Sequence, residues 1–478
     1  MRFFRFFLIV FVLMMVACSG TAVSTPTLTS EPTTVAVAQP TNPLTAQLTD
    51  TAVSATEPPP ATATTKPTST NTAVPTDTPI PQTDTETSEA TETAVSANTA
   101  TPAPAADDGG EEATAVPPTT AAPPPSTTGV EQPPYEASAC SDKYPCNDDR
   151  AAWEARIRVP AGFTDTYFAQ VPGAPTSMTF GPDGMLYVAI QTGTIYRLDS
   201  AGNVFAYVSG FNFPTGIAFR PGTSDLYVSD RINNAAVGGE SRISIVQGGA
   251  IRQIIGGLPC CYASMHAANG IAFGADGWGY VGVGGRADHG EILVGDNAGQ
   301  MNELHPYEAS ILRFSPDGSV VENYARGFRN PYDIAWDGNG QLWATDNEPD
   351  FGPVEELHRV IPGGQHGYPW FDCDVCFPAP PDVQVIPPAW TFTPHASPTG
   401  ITSYLSNLFP GYYNSLFLTL WSAFPGAQKV VRMAPNATSA TNFATGFASP
   451  IDVTVGPDGS LYVADWATGI IFKISYIG

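Results

Sequence analysis

The chain has 478 residues, but Thr, Pro, Ala and Ser so dominate its first quarter that length alone overstates how much of it can fold. Its formal net charge is −25, and no basic stretch interleaved with aromatics occurs, which excludes a nucleic-acid-binding surface. Thirteen of the acids lie between Glu31 and Glu131 against a single lysine, Lys66, so the rest of the chain is only moderately acidic.

Residues 1–17, MRFFRFFLIVFVLMMVA, set two arginines ahead of an apolar run too short for a good membrane span, the pattern of a secretory signal. The run ends in MVACSG, which resembles the lipobox of bacterial lipoproteins, so Cys18 is expected to be acylated and to become the mature N-terminus. The expected location is extracytoplasmic, with the bacterial cell membrane reached through that lipid anchor only. Residues 18–134 are a Thr/Pro/Ala-rich linker without a Phe, Trp or Tyr. Such a segment cannot bury enough apolar surface to offset its chain entropy, and a disordered tether is expected. Residues 135–157 form a cysteine-containing extension. In an exported protein the cysteines beyond Cys18, spaced as Cys140/Cys146, Cys260-Cys261 and Cys373/Cys376, read as local disulfides. The CDVC at 373–376 has the look of half a zinc site, but no second close ligand pair accompanies it.

From 158 to 478 the pattern changes to apolar alternation punctuated by Gly-Pro-Asp-Gly turns. MTFGPDGMLYVAI at 178, IAFRPGTSDLYVSD at 217, IAFGADGWGYVGV at 271, IAWDGNGQLWATD at 334 and VTVGPDGSLYVAD at 453 each read as strand, tight turn, strand. A weaker unit with a longer turn starts at 401. β units recurring at intervals of roughly 40 residues or more predict an all-β fold, a six-bladed β-propeller. Outer strands are expected at 193–199, 241–247, 310–316 and 469–475, and DTYFAQV at 165–171 is expected to complete the last blade and close the ring.

Three loops are near-copies: YVSGFNFPTGIAF at 207, YARGFRNPYDIAW at 324 and FATGFASPIDVTV at 443. After Gly-Phe the middle copy alone carries Arg329-Asn330. In a propeller the loop before each inner strand and the loop after its second strand open on one face around the axis. Counting back five residues from the inner-strand starts places Asn212, His266 and Arg329 at one repeat position, with His395 six back in the fifth unit. A binding site is therefore expected on this rim, built on His266, Arg329, Asn330 and His395. The acids after the second strands, Asp230, Asp346, Glu348 and Asp465, are expected on the same face, where carboxylates and carbonyls suit a hard cation such as calcium.

These segments, together with GLPCCYASMHAANG, EELHRVIPGGQHGYP and PPAWTFTPHASPTG in this order, resemble the soluble glucose dehydrogenase and sorbosone dehydrogenase family over about 155–478. The resemblance implies a six-bladed propeller that uses pyrroloquinoline quinone (PQQ) and calcium to oxidise a sugar hydroxyl or hydrated aldehyde by hydride transfer to the quinone. It implies His266 as general base, Arg329 as the group that stabilises charge on the quinone oxygen, and Asn330 at the quinone edge. His395 and Asn212 fall on the substrate side. Calcium-binding carbonyls are implied at Glu348-Pro349 or at Gly352-Pro353, with Glu356 matching an acid of the family's Glu-Leu motif. One departure stands out. Sorbosone-type members carry a Ser-Trp-Asn-Arg segment in blade five with its arginine near a PQQ carboxylate, whereas LWSAFPGAQKVVRM lacks it and leaves Lys429 or Arg432 as the substitute. No Cys-x-x-Cys-His haem motif occurs, so a separate electron acceptor is expected. Two other readings share the fold: a calcium-dependent lactonase-like propeller, which does not account for Arg329-Asn330 beside His266, and a non-catalytic binding propeller.

Overall fold

The structure is a computed structural model that describes residues 140–233, 239–262, 265–349, 353–371 and 376–478. The signal segment, Cys18, the linker, Gly352 and Cys373 lie outside the described residues. Among the described residues no helix is long and apolar enough to cross a membrane.

The described strands form six four-stranded antiparallel sheets, the blades of the expected propeller. The first strand, β1 (Phe163–Gln170), precedes blade one, which holds β2 (Pro175–Phe180), β3 (Leu186–Ile190), β4 (Thr194–Leu198) and β5 (Val204–Ser209). Blade two holds β6 (Gly216–Phe219), β7 (Leu226–Asn233), β8 (Gly239–Gln247) and β9 (Ala250–Cys260). Blade three holds β10 (Ala268–Phe273), β11 (Gly279–Val283), β12 (Ser310–Phe314) and β13 (Val321–Arg326). Blade four holds β14 (Pro331–Trp336), β15 (Leu342–Asp346), β16 (Glu355–Arg359) and β17 (Trp390–Phe392). Blade five holds β18 (Pro398–Tyr404), β19 (Ser415–Leu420), β20 (Lys429–Met433) and β21 (Ala440–Thr445). Blade six holds β22 (Pro450–Val455), β23 (Leu461–Asp465) and β24 (Ile470–Tyr476), and its outer strand is β1 (Phe163–Gln170), paired with β24 as the sequence predicts.

The repeated turn has a local cause. Its aspartate accepts a hydrogen bond from the aromatic second residue of the next strand: Tyr187 to Asp183 at 2.9 Å, Tyr280 to Asp276 at 2.8 Å, Tyr462 to Asp458 at 3.2 Å and Trp343 Nε1 to Asp337 at 3.1 Å. Those rings then pack edge-on against aromatics of a neighbouring blade, as in Tyr187–Phe219 and Tyr280–Trp336.

Around the axis the inner strands touch in a closed ring, β2-β6-β10-β14-β18-β22. They begin earlier than the apolar pattern suggests, because a β-bulge near the start of β2, β10, β14, β18 and β22 interrupts the alternation. Next to the bulge, side chains of one blade accept backbone N–H groups of the next. Asp333 takes Ile401 N at 2.9 Å, Asp452 takes Met178 N at 2.5 Å and Ser177 takes Ile217 N at 3.3 Å. At the same repeat step blades three and five carry glycine, and a Cβ on Gly270 or Gly400 would lie 2.1 or 2.3 Å from the carboxylate of Asp333 or Asp452.

The extension contributes a helix the sequence pattern did not reveal, α1 (Arg150–Arg156), capped by Asp149. Its Trp153 is fully buried against Tyr144 and Phe472, fixing the helix to the closing strand pair. Disulfides join Cys140 to Cys146 and Cys260 to Cys261.

If the ring depends on this fit, Gly400→Ala and Asp452→Ala should each cost on the order of 1–3 kcal/mol, one by overpacking and the other by stranding the Met178 N–H. Urea unfolding of both variants checks it.

Candidate active site

The acids that end the second strands lie on the expected face, but they are buried and hold the loops. Asp346 accepts from Arg329 N at 3.0 Å and Asn330 N at 2.7 Å, and Asp465 accepts from Ala448 N and Ser449 N in the same way. Asp230 accepts from Asn212 N at 2.9 Å and pairs with Arg242. One buried carboxylate therefore pins each of these three loops. This is why their near-identical sequences take up one repeat position while their side chains differ.

The structure brings His266, Arg329 and Asn330 together across the end of blade three. Gly284 passes between them, and a Cβ there would lie 2.7 Å from Asn330 Oδ1 and 2.9 Å from the Cβ of His266, so only glycine fits. Gly285 then donates to Arg329 O at 2.7 Å and presents its own carbonyl 3.0 Å from His266 Nδ1. A carbonyl accepts only, so the proton of the neutral imidazole sits on Nδ1 and Nε2 keeps its lone pair. Burial, helped by the Arg329 charge, pushes the His266 pKa well below the usual histidine range.

Arg329 is held from three sides: Nε to Asp288 O at 3.0 Å, Nη1 to Asn347 O at 2.9 Å and Nη2 to Asp288 Oδ1 at 2.5 Å. Asp288 sits in the insertion between β11 and β12. That segment is anchored by the paired Arg286 and Glu308 and by Tyr368, whose hydroxyl donates to Ala287 O. Tyr262 packs edge-on to His266, with the Arg329 guanidinium 5.9 Å from its ring. Asn330 Oδ1 accepts from Asn269 at 2.8 Å, while Asn269 Oδ1 is buried without a hydrogen-bond partner. The apolar surroundings include Met265, Tyr332, Trp421 and Trp466, and Tyr332 donates across the axis to Thr176 O in blade one.

The remaining candidates lie apart from this group. The His395 ring stacks on Phe424 at 4.9 Å in the loop entering blade five. Asn212 contributes backbone groups to Asp230 and Arg231. Lys429 lines a cavity of about 210 Å³ between β17, β20 and β21, and burial lowers its pKa. Arg432 is bonded to Ser415 and Gly411 and lies against Tyr412.

Glu348, Pro349 and Glu356 are buried together with Glu355, Asp346 and His358. Ligand atoms of Asp346, Glu348 and His358 lie within 4.8 Å of one another, and His358 Nε2 is 2.8 Å from Glu356. Burial raises Asp346 to about 7 and Glu355 to about 8, and lifts Glu348 well above its ordinary value with help from its acidic neighbours. The carboxylates suit a hard cation; the imidazole does not. Asp288, Tyr262, Glu355 and His358 were missed by the sequence reading. Asp288 has no repeat counterpart to signal it, whereas the EELH run adjoining Glu356 was in view.

Residues 241–473 match the family model described as Glucose / Sorbosone dehydrogenase, so the chain carries the resemblance that its motifs suggested. No curated protein matches the chain by sequence. Among solved structures, the PQQ-bound aldose sugar dehydrogenase of Streptomyces coelicolor is 21% identical with a TM-score of 0.51, covering 66% of this chain and 99% of its own. The apo soluble aldose sugar dehydrogenase of Escherichia coli is 16% identical with a TM-score of 0.53, covering 66% and 99%. The holo pyranose dehydrogenase PQQ domain of Coprinopsis cinerea is 18% identical with a TM-score of 0.52, covering 67% and 97%. At these identities the likeness is one of fold.

The buried groups make opposite contributions to stability as pH changes. His266, depressed in the native state, binds its proton only on unfolding, so its contribution rises with pH and is complete above about 6.5. Asp346, Glu348 and Glu355 keep protons in the native state that the unfolded chain has released above about 4.5, so their contribution falls with pH until their raised values are passed. Between pH 6.5 and 8 only the second effect acts among these groups. Urea unfolding of the metal-free protein should show stability falling across that window, and Glu355→Gln should flatten the fall.

Proposed function

We propose that the protein is a PQQ- and calcium-dependent dehydrogenase that oxidises the hydroxyl or hydrated-aldehyde carbon of a sugar. The observation that carries this reading is His266: buried, neutral, fixed in the Nδ1–H tautomer, and set beside a buried arginine. The family match and the sugar dehydrogenases of like fold support it.

PQQ is a planar, aromatic, carboxylate-rich group, and the axial face offers Trp421, Trp466 and Tyr262 as aromatic surfaces, with Asn269 Oδ1 and Trp466 Nε1 as buried polar atoms lacking partners. Arg329 and Asn330 would hold its quinone edge. When bound, PQQ supplies the two-electron acceptor for the sugar's hydride. The chain's own contribution is the proton and the field. His266 Nε2 takes the proton of the reacting hydroxyl, and the Nδ1 hydrogen bond to Gly285 holds the ring steady as it becomes charged. Asp288 and the Asn347 carbonyl fix the Arg329 guanidinium before any charge develops, so no reorganisation is needed during the step. Glu348 and Glu356, with the Pro349 carbonyl, would hold calcium. His395, stacked on Phe424, and Asn212 would form part of the sugar's surroundings. The electron acceptor is a separate partner, and the lipid on Cys18 is proposed to tether the enzyme outside the cytoplasm. A lactonase would need open carboxylates around a metal-bound water, whereas Asp230, Asp346 and Asp465 are occupied by backbone N–H groups.

Purified protein supplied with PQQ, calcium, an aldose panel and a dye acceptor should turn over and show a bound-cofactor spectrum; neither appearing would reject the proposal. His266→Ala should retain PQQ but lose about a hundredfold or more in kcat, the usual worth of a positioned base. His395→Ala should raise KM or lower stability with kcat largely kept. Near-normal turnover in His266→Ala beside a dead His395→Ala would move the base to blade five. Chelation of calcium should abolish turnover, with calcium readdition restoring it.

A further inference from the structure

Arg231 follows Asp230 on β7, at the step where the second strand of blade two reaches the axial face. The strand pairing puts Gln191, Gly284, Asn347, Trp421 and Trp466 at the same step in the other blades. Its side chain is 2% exposed, yet among the described residues it has no ion pair, and Nε and Nη2 are buried without a hydrogen-bond partner. Those two nitrogens form one edge of the guanidinium, the edge that meets a carboxylate side-on.

Among the described residues no carboxylate answers this cation. Adjacent Asp230 is committed to Arg242 Nε and Nη2, at 2.7 and 2.9 Å, and to the Asn212 N–H. The guanidinium instead lies over Phe213, its carbon 3.8 Å from the ring centre. It sits near the axis, since its charge acts on the Tyr332 hydroxyl that reaches across to Thr176. Burial lowers its pKa to about 10, which leaves it charged at neutral pH. A desolvated cation with nothing to pair with is unfavourable unless an anion completes it.

We infer that Arg231 is a carboxylate-binding residue of the axial rim, and that the carboxylate it takes, through Nε and Nη2, belongs to the quinone cofactor. The inference rests on the functional reading above and deepens it. Blade five, where the family resemblance places a carboxylate-binding arginine, offers Lys429 in a lateral cavity and Arg432 bonded to its own blade. A neutral aldose brings no anion to the rim. A sugar acid would, so the cofactor and the substrate are the two sources to separate.

The test is titration of the calcium-loaded protein with PQQ, followed by equilibrium dialysis and by the cofactor spectrum, for the parent, Arg231→Met, Arg231→Gln and Arg231→Lys. Loss of a charge-assisted bidentate contact should weaken PQQ binding roughly 10- to 100-fold in the first two variants, with Arg231→Lys between them and the parent. The affinity for PQQ trimethyl ester, which has no carboxylates, should be the same in all four. Because the apo protein buries this charge unpaired, Arg231→Met should melt at or above the parent temperature without cofactor. A melting temperature lowered in both Arg231→Met and Arg231→Gln would make the guanidinium structural and overturn the inference. Unchanged PQQ affinity would overturn it and leave the functional reading intact. If that unchanged affinity came with a raised KM for glucuronate and not for glucose, the carboxylate would be the substrate's. A parent protein that binds no PQQ would remove the functional reading and this inference together.

Discussion

The propeller depends on how closely its six inner strands approach the axis. At the bulge that starts them, an N–H of one blade is accepted by a side chain of the blade before it: Ile401 by Asp333, Met178 by Asp452, Ile217 by Ser177. Hydroxyls run the same circuit in the opposite sense. Thr176 donates to Pro214 O, Thr215 to Ala268 O, Thr345 to Thr399 O and Thr419 to Ile451 O. Blades joined only by apolar faces would have latitude to slide. Directional bonds between successive inner strands remove it, and the glycines at 270 and 400 let the carboxylates fit.

That fixed ring is what makes the axial loops useful. Each loop begins a few residues from an interblade bond and is pinned again by the aspartate at the end of the second strand, so its backbone is determined twice. Side chains at the exit are then free of structural duty. Ala448-Ser449 and Arg329-Asn330 share one backbone arrangement around Asp465 and Asp346, and only the second pair carries groups able to act on a ligand. The repeat supplies the geometry, and departures from the repeat supply the chemistry.

Much of this was legible in the sequence because the turn Asp–Tyr bond, the bulge and the loop aspartate recur and leave a periodic trace. Strand order, ring closure by residues near 165 and the rim position shared by His266 and Arg329 follow from that trace. What does not recur was hidden. Asp288, which fixes Arg329, lies in an insertion with no sister copy. The α1 helix is only about two turns long and held by Trp153, too short for a helical period to show. Asp230, Asp346 and Asp465 were read as open ligands because sequence reveals charge and not what occupies it; the structure shows backbone N–H groups there instead. Lys429 looked equivalent to an axial arginine on blade position alone, but its strand turns it into a lateral cavity.

Several unfavourable groups meet on the axial face. His266 is kept neutral against its normal titration, Glu348 and Glu355 are held far above theirs, and Asn269 Oδ1 and Trp466 Nε1 lack partners. The opposite ends of the blades hold solvated turns with satisfied aspartates. The collection of unfavourable groups around one funnel means that a ligand able to satisfy several at once would bind there with free energy that the apo fold has left unspent, and would raise stability by the same amount through linkage. The rigid interblade ring is the condition for this, because a softer fold would relax and pair those groups internally.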